Sequence, residues 1–280
     1  MKLEFSKMHG CGNDYIYFNC MSQFLPNVVQ IAKLLSDRHF GVGADGIVLI
    51  CPSEQADFKM RMFNSDGSEG KMCGNAIRCV AKFVLDEGLF SGDVLKIETL
   101  SGVKTVTLKK TLQEQAMFTV DMGAAILDPA KIPVKGKFSA PIVAHPFELL
   151  GSIFKITCVS MGNPHCVVFF DSLNKINLYD LGPKFEHSDF FPQGVNAEFV
   201  EIKNSNEIKM LVWERGSGPT LACGTGACAA VVAGVLNGYC KQNSDVAVNL
   251  PGGKLWVKVA DETVFLTGEA VLVFKGFVEV

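Results

Sequence analysis

Cys73 stands in Lys71-Met-Cys-Gly-Asn-Ala76, and Cys223 in Leu221-Ala-Cys-Gly-Thr-Gly-Ala227. Each follows a glycine-containing loop (Asp66-Gly-Ser-Glu-Gly70 and Gly216-Ser-Gly-Pro-Thr220) and each precedes an apolar helical run. A thiol at a helix N-terminus feels the positive end of the dipole, which lowers its pKa below about 8.5 and favours thiolate. The amides of Gly74-Asn75 and Gly224-Thr225 leave the same helix ends and suit a carboxylate. Glycine at both positions lets a ligand approach the backbone closely. Two such thiols suit a two-base proton transfer, in which one removes a proton from carbon and the other returns one to the opposite face. Inversion of a stereocentre needs that arrangement. The competing reading makes them two buried residues capping two core helices.

The surroundings extend the chemical reading. Phe63-Asn-Ser-Asp-Gly67 and Trp213-Glu-Arg-Gly-Ser217 each end a strand before a cysteine loop. Arg215 offers a fork for a carboxylate and Glu214 an acceptor for an ammonium group, although a solvated ion pair at a strand end is the common alternative. Gly162-Asn-Pro-His-Cys166 supplies Asn163 and His165, with His165 placed to tune a nearby thiol. His9-Gly-Cys-Gly-Asn-Asp14 supplies His9, Asn13 and Asp14. Asn13, Asn64, Asn75, Asn163 and Asn196 are either turn residues or substrate hydrogen-bonding groups, and their place on these elements favours the second.

The elements that must position these residues follow from an internal repeat. A shift of 150 residues lays Gly12-Asn13 on Gly162-Asn163, Lys59-Met60 on Lys209-Met210, and Cys73-Gly74 on Cys223-Gly224. Dipeptides, strand patterns and helix starts agree in one register. Period-two alternation marks strands at 58–63, 118–122 and 255–259. Helical spacing appears from Val28, capped by Asn27, and from Cys73, with Gly88 suited to its C-terminus. The run from Ala227 to Leu236 is apolar on every side and predicts a fully buried helix. Strands outnumber helices and short turns separate them, so the expected class is α+β. Two similar halves are expected, 1–128 and 147–280, joined by a proline-containing stretch near 129–146. A two-fold relation would place equivalent elements face to face across a cleft.

The 280 residues suffice for one large domain or two smaller ones. Apolar types make up 48% and charged types 20%, the balance of a globular protein. A net charge of −3 gives no reason to expect nucleic acid or an anionic membrane as partner. No apolar run approaches a membrane span of about 20 residues, and MKLEFSK has no apolar leader segment, so a cytoplasmic location is expected. The ten cysteines form no Cys-x-x-Cys pair, which argues against structural zinc and for reduced thiols. Gly41-Val-Gly-Ala-Asp-Gly46 spaces its third glycine wrongly for a dinucleotide loop, and no cofactor is expected.

His9-Gly-Cys-Gly-Asn-Asp-Tyr15, Gly41-Val-Gly-Ala-Asp45, Phe63-Asn-Ser-Asp-Gly67 and Met72-Cys-Gly-Asn-Ala-Ile-Arg78 resemble the motifs of the diaminopimelate epimerase family, in family order. So do Gly162-Asn-Pro-His165, Glu214-Arg-Gly216 and Ala222-Cys-Gly-Thr-Gly-Ala-Cys228. The resemblance implies two pseudo-symmetric halves, each a curled, mostly antiparallel sheet around a central helix, with the active site between them. It implies cofactor-independent interconversion of LL- and meso-2,6-diaminopimelate by Cys73 and Cys223. Asn13, Asn64, Asn163, Asn196, Glu214 and Arg215 would bind substrate together with Gly74, Asn75, Gly224 and Thr225, and His165 and Glu214 would adjust the thiols. A small-molecule amino acid substrate, a homodimer and no metal are implied too. Three positions depart from the family pattern: Gly46 where glutamine is frequent, Pro219 where glutamate is usual, and Glu269 where proline is usual. The first two bear on substrate strictness and keep a broader amino acid racemase open. A thiol redox protein, in which Cys73 and Cys223 form a reversible disulfide, is the reading from a different class.

Overall fold

The computed structural model describes residues 2–110 and 116–279. Strands dominate it, with four α-helices among the described residues: α1 (Val28–Ser36), α2 (Gly74–Asp86), α3 (Leu178–Glu186) and α4 (Gly224–Leu236). The class is α+β, with most strand pairs antiparallel. The chain forms two compact units, Met1–Asp121 with Thr267–Val280, and Met122–Leu266.

These units differ from the expected halves at both joints. The C-terminal strand Val271–Glu279 belongs to the first unit, where it pairs antiparallel with Lys2–Gly10. Without it, the first strand would present an unpaired edge, and Phe5 would lose the Phe274 ring edge-on at 5.9 Å. The stretch expected to join the halves is tied to the second unit, through the Lys135 amide on the Phe190 carbonyl at 2.8 Å and the Cys158 amide on the Ile142 carbonyl at 3.0 Å.

In the first unit, Asn13–Asn19 runs parallel to Gly46–Cys51, which pairs antiparallel with Phe58–Asn64. Parallel neighbours need a crossover, and α1 supplies it. In the second unit Pro164–Phe170 runs parallel to Asn196–Asn204, which pairs antiparallel with Glu207–Glu214, and α3 is the crossover. The registers repeat at the same offset: Tyr15 faces Gly46 as His165 faces Asn196, and Ile47 faces Phe63 as Ala197 faces Trp213.

Helix α2 buries Ala76, Ile77, Val80 and Val84, and α4 buries Ala227 through Ala233. The all-round apolar composition of α4 matches its burial. Asn27 does not cap α1; it takes a left-handed conformation with φ 46° and makes no side-chain cap. Asparagine tolerates that region.

Candidate active site

In the first unit, Cys73 is the N-cap of α2. Its backbone is extended (φ −136°, ψ 123°) and its Sγ accepts the Ala76 amide at 3.5 Å. The thiol donates to Asn13 Oδ1 at 3.2 Å, and Asn75 Nδ2 reaches the same oxygen at 3.4 Å. Asn13 is held from behind, since its Nδ2 donates to Asp45 at 2.7 Å and Arg38 bridges Asp45 and Asp14 at 2.9 and 2.8 Å. Lys7 pairs with Asp14. Burial opposes the Asp14 charge, yet the hydrogen bonds from Arg38 and Lys7 bring its carboxyl below the ordinary range. Arg78 is fully buried and donates to Gly74 O at 2.7 Å and Asn75 Oδ1 at 2.9 Å. That guanidinium fixes the first turn of α2, where the Gly74 and Asn75 amides emerge.

Asn64 stands opposite Gly46 at the end of its strand and donates to Ser68 Oγ at 3.0 Å. Gly46 is more than a missing side chain. A Cβ there would lie 2.1 Å from the Phe63 carbonyl oxygen, so this backbone accepts no other residue. His9 accepts the Gly12 amide at 3.4 Å and stabilises its own turn.

In the second unit, Cys223 is the N-cap of α4 and its Sγ accepts the Gly226 amide at 3.3 Å. The Thr225 hydroxyl sits 3.5 Å from the sulfur, Asn163 Nδ2 donates to that hydroxyl at 3.3 Å, and Asn163 Oδ1 lies 3.0 Å from His165 Nε2. His165 Nδ1 lies 2.7 Å from Glu198 Oε1, with both side chains at 0% exposure. Asn163 Oδ1 is an acceptor, so Nε2 carries a proton. A second proton then lies between Nδ1 and Glu198, which makes the pair electrically neutral as a whole. Burial pushes the Glu198 carboxyl up against the pull of His165, and its other oxygen, buried and without a hydrogen-bond partner among the described residues, fits a neutral acid better than a carboxylate.

The dipole alone predicts a depressed thiol pKa at both helix ends. At Cys223 the outcome is the reverse: burial pushes the thiol well above its ordinary value, and Glu214 pushes the same way against Thr225 and the Gly226 amide. Glu214 accepts from the Thr220 hydroxyl. Asn196 is 4% exposed, and its amide donates to Pro164 O and accepts from the Arg215 amide, both at 2.9 Å. It therefore sets the Glu214-Arg215 corner. The Arg215 guanidinium is exposed and reaches Gln193 O at 3.2 Å. Pro219 sits opposite Trp213 in a two-residue strand.

Thus Asn13, Gly74 and Asn75 gather at Cys73, and Asn163, His165, Gly224 and Thr225 gather at Cys223, with Glu214 acting on it electrostatically. Four positioning residues escape the sequence reading: Asp45, Arg78, Glu186 and Glu198. Glu186 accepts from Trp213 Nε1 at 2.6 Å and the Gly216 amide at 2.7 Å, bracketing Glu214 and Arg215. A signal for Glu198 was present, because a charged residue two places after Asn196 on an apolar strand shares its face.

A family profile described as diaminopimelate epimerase matches residues 5–127 and 157–273. A protein named diaminopimelate epimerase from Acetivibrio thermocellus is 51% identical over 279 residues, covering 99% of each chain. One of the same name from Desulfovibrio desulfuricans is 49% identical, covering 98% of this chain and 97% of its own. Among solved structures, a phenazine biosynthesis protein of the PhzF family from Bacillus anthracis shares the fold with TM-score 0.74 at 15% identity, each chain covered in full. A hydroxyproline epimerase from Agrobacterium vitis does so with TM-score 0.68 at 14% identity, over 99% of this chain and 91% of the other.

Proposed function

We infer the function from one premise: the chain belongs to the diaminopimelate epimerase family. It is an isomerase that interconverts LL- and meso-2,6-diaminopimelate. Two thiols supply acid and base, and the reaction as read needs no cofactor. The substrate carboxylate at the reacting centre lies on the amides of Gly74-Asn75 and Gly224-Thr225, and the ammonium near Glu214. One cysteine, as thiolate, takes the α-proton. The other, as thiol, protonates the opposite face, and the roles exchange with direction. The helix-end amides stabilise the charge that develops on the carboxylate. Asn13, Asn64, Asn163, Asn196 and Arg215 complete the substrate contacts, Asn196 through the corner it holds. His165 and Glu214 set the protonation of Cys223.

One observation supports this reading most. Two cysteines cap two helices at equivalent places of a 150-residue repeat, and each sulfur accepts an amide three residues on. No helix among the described residues is long and apolar enough to cross a membrane. A cytoplasmic homodimer is the setting we propose.

The test is α-hydrogen exchange in deuterated water with purified protein and no added cofactor, run on diaminopimelate and on a panel of other amino acids. Exchange and inversion restricted to diaminopimelate are expected. Comparable inversion of glutamate or proline would replace this reading with a broader racemase. Cys73→Ala and Cys223→Ala should each lower turnover by about 10³-fold or more while the fold persists. Native turnover in either variant would end the two-base scheme.

A further inference from the structure

Eight cysteines lie outside the proposed chemistry, and two of them meet at the end of a strand pair in the first unit. Asn19 faces Ile50 in the parallel register of Asn13–Asn19 and Gly46–Cys51, and the Cys20 amide donates to the Ile50 carbonyl at 2.9 Å. The next step of that register sets Cys20 beside Cys51. Adjacent strands run about 4.8 Å apart, inside the Cα separation of about 4.4–6.8 Å that a disulfide spans. The two thiols lie within hydrogen-bonding reach of each other. Both are half-buried, at the rim of the core formed by Ile16, Phe18, Ile47 and Leu49. On the neighbouring strand Lys59 stands opposite Cys51 and Arg61 opposite Leu49, so two cations flank the pair, Arg61 paired with Glu69 at 2.7 Å and Lys59 with Glu98 at 2.9 Å.

We propose that Cys20 and Cys51 form a peroxide-reactive dithiol, a modification site that oxidises reversibly to a disulfide and takes no part in epimerisation. Cys51 is the attacking sulfur. The hydrogen bond from Cys20, with Arg61 and Lys59 behind it, draws the Cys51 thiol down to about 7 against burial. Its thiolate attacks one oxygen of a hydroperoxide. The O–O bond breaks, an S–O bond forms, and an alcohol or water leaves with the second oxygen and a proton. Cys20 then attacks the sulfenic sulfur, the S–O bond breaks, and water departs carrying the Cys20 proton. Two thiols and one hydroperoxide become one disulfide, one alcohol (or water) and one water.

The molecule carries its own control. Cys158 and Cys166 stand directly opposite each other on antiparallel strands, but both are at 0% exposure, and burial pushes Cys166 well above its ordinary range. Adjacency is common to the two pairs, and access is not.

The experiment treats the purified protein with hydrogen peroxide, blocks remaining thiols by alkylation under denaturing conditions, and maps peptides by mass spectrometry. A peptide pair linked through Cys20 and Cys51, lighter by two hydrogens and restored by dithiothreitol, is expected, with Cys158 and Cys166 recovered alkylated. In Cys20→Ser, dimedone should trap Cys51 as sulfenic acid. In Cys51→Ser, Cys20 should stay reduced. The proposal is overturned if Cys20 and Cys51 are recovered as thiols, if Cys51 proceeds to sulfinic acid unlinked in the wild type, or if Cys158–Cys166 links as readily. The wild-type map decides the matter even where a variant folds poorly.

Discussion

Ala76 and Gly226 occupy the same place, one turn into α2 and α4, and each donates its amide to the capping sulfur. One helix tolerates a methyl group there and the other does not. A Cβ at Gly226 would lie 2.7 Å from Glu198 Oε1 and 3.3 Å from the Cys223 sulfur. The residue equivalent to Glu198 in the first unit is Val48, fully buried and apolar. The difference propagates outward. Cys73 is half-buried, and its thiol donates to an asparagine that a charged cluster holds. Cys223 is buried, and a neutral chain of His165, Asn163 and Thr225 reaches it from a buried acid. A repeated framework therefore presents two sulfurs in unequal environments, and at Cys223 burial and the Glu214 carboxylate outweigh the helix end.

The sharpest way to break this comparison is to exchange the two small residues. Gly226→Ala should displace either the Glu198 carboxyl or the sulfur, and a misplacement of about 1 Å can cost about 100-fold in turnover. Ala76→Gly introduces no clash and should cost only about 1 kcal/mol of stability, from helix propensity, with turnover within a few-fold. Steady-state kinetics and thermal melts of both variants decide it. Equal activity losses would show that the asymmetry around Cys223 has no bearing on catalysis.

Glu198 itself gives the next largest effect. Glu198→Gln can donate an amide proton to His165 Nδ1 and keep Nε2–H toward Asn163, whereas Glu198→Leu leaves the imidazole free to move its proton. Turnover should fall about 10-fold in the leucine variant and recover in the glutamine variant, with KM little changed. The ¹⁵N shifts of His165 should report Nε2–H in wild type and Glu198→Gln; a bare Nε2 in wild type would refute the chain. The sign of the stability change is also fixed. The unfolded carboxyl loses its proton near about 4.3, while the buried one keeps it to higher pH. Through that window the native state binds more protons, so wild-type stability falls relative to Glu198→Gln as pH rises.

The repeat and the two cysteine caps were legible because identical dipeptides marked identical backbone roles. The helix α3 was equally available yet unread: Leu178–Glu186 lies 150 residues after Val28–Ser36, but Gly182 and Pro183 hide its helical period. Propensity is local, whereas the requirement for a crossover between parallel strands is not. Glu198, Asp45 and Arg78 stayed hidden for a different reason. A buried charge is tolerable only beside partners that the fold brings from far along the chain, and 33 residues separate Glu198 from His165. Strand Val271–Glu279 was placed with the wrong half because sequence proximity says nothing about which edge needs a partner.

On the Cys73 side the equivalent support is solvated, and a smaller effect follows. Asp45→Ala removes the 2.7 Å bond that orients Asn13, a contact whose net worth is about 0.5–1.5 kcal/mol. Turnover should fall a few-fold, far less than for Glu198→Leu. A loss as large as that of the leucine variant would mean that the two thiols depend equally on their supports.

The smallest effect separates the thiols by pH alone. Unfolded cysteine loses its proton near about 8.5, and Cys223 keeps its proton well above that in the folded protein. Above that pH the native state again binds more protons, so this thiol makes stability fall as pH rises. Cys223→Ser keeps a capping oxygen and removes the ionisation, so its urea-unfolding free energy should decline less steeply between about pH 8 and 10. One group contributes at most about 1.4 kcal/mol per pH unit, and Cys79 and Cys166, both pushed up by burial, retain their own slopes in both proteins. The difference between the two curves therefore isolates Cys223. Parallel curves would mean that Cys223 ionises as readily in the fold as in the unfolded chain, and the proposed contrast between the helix ends would be lost.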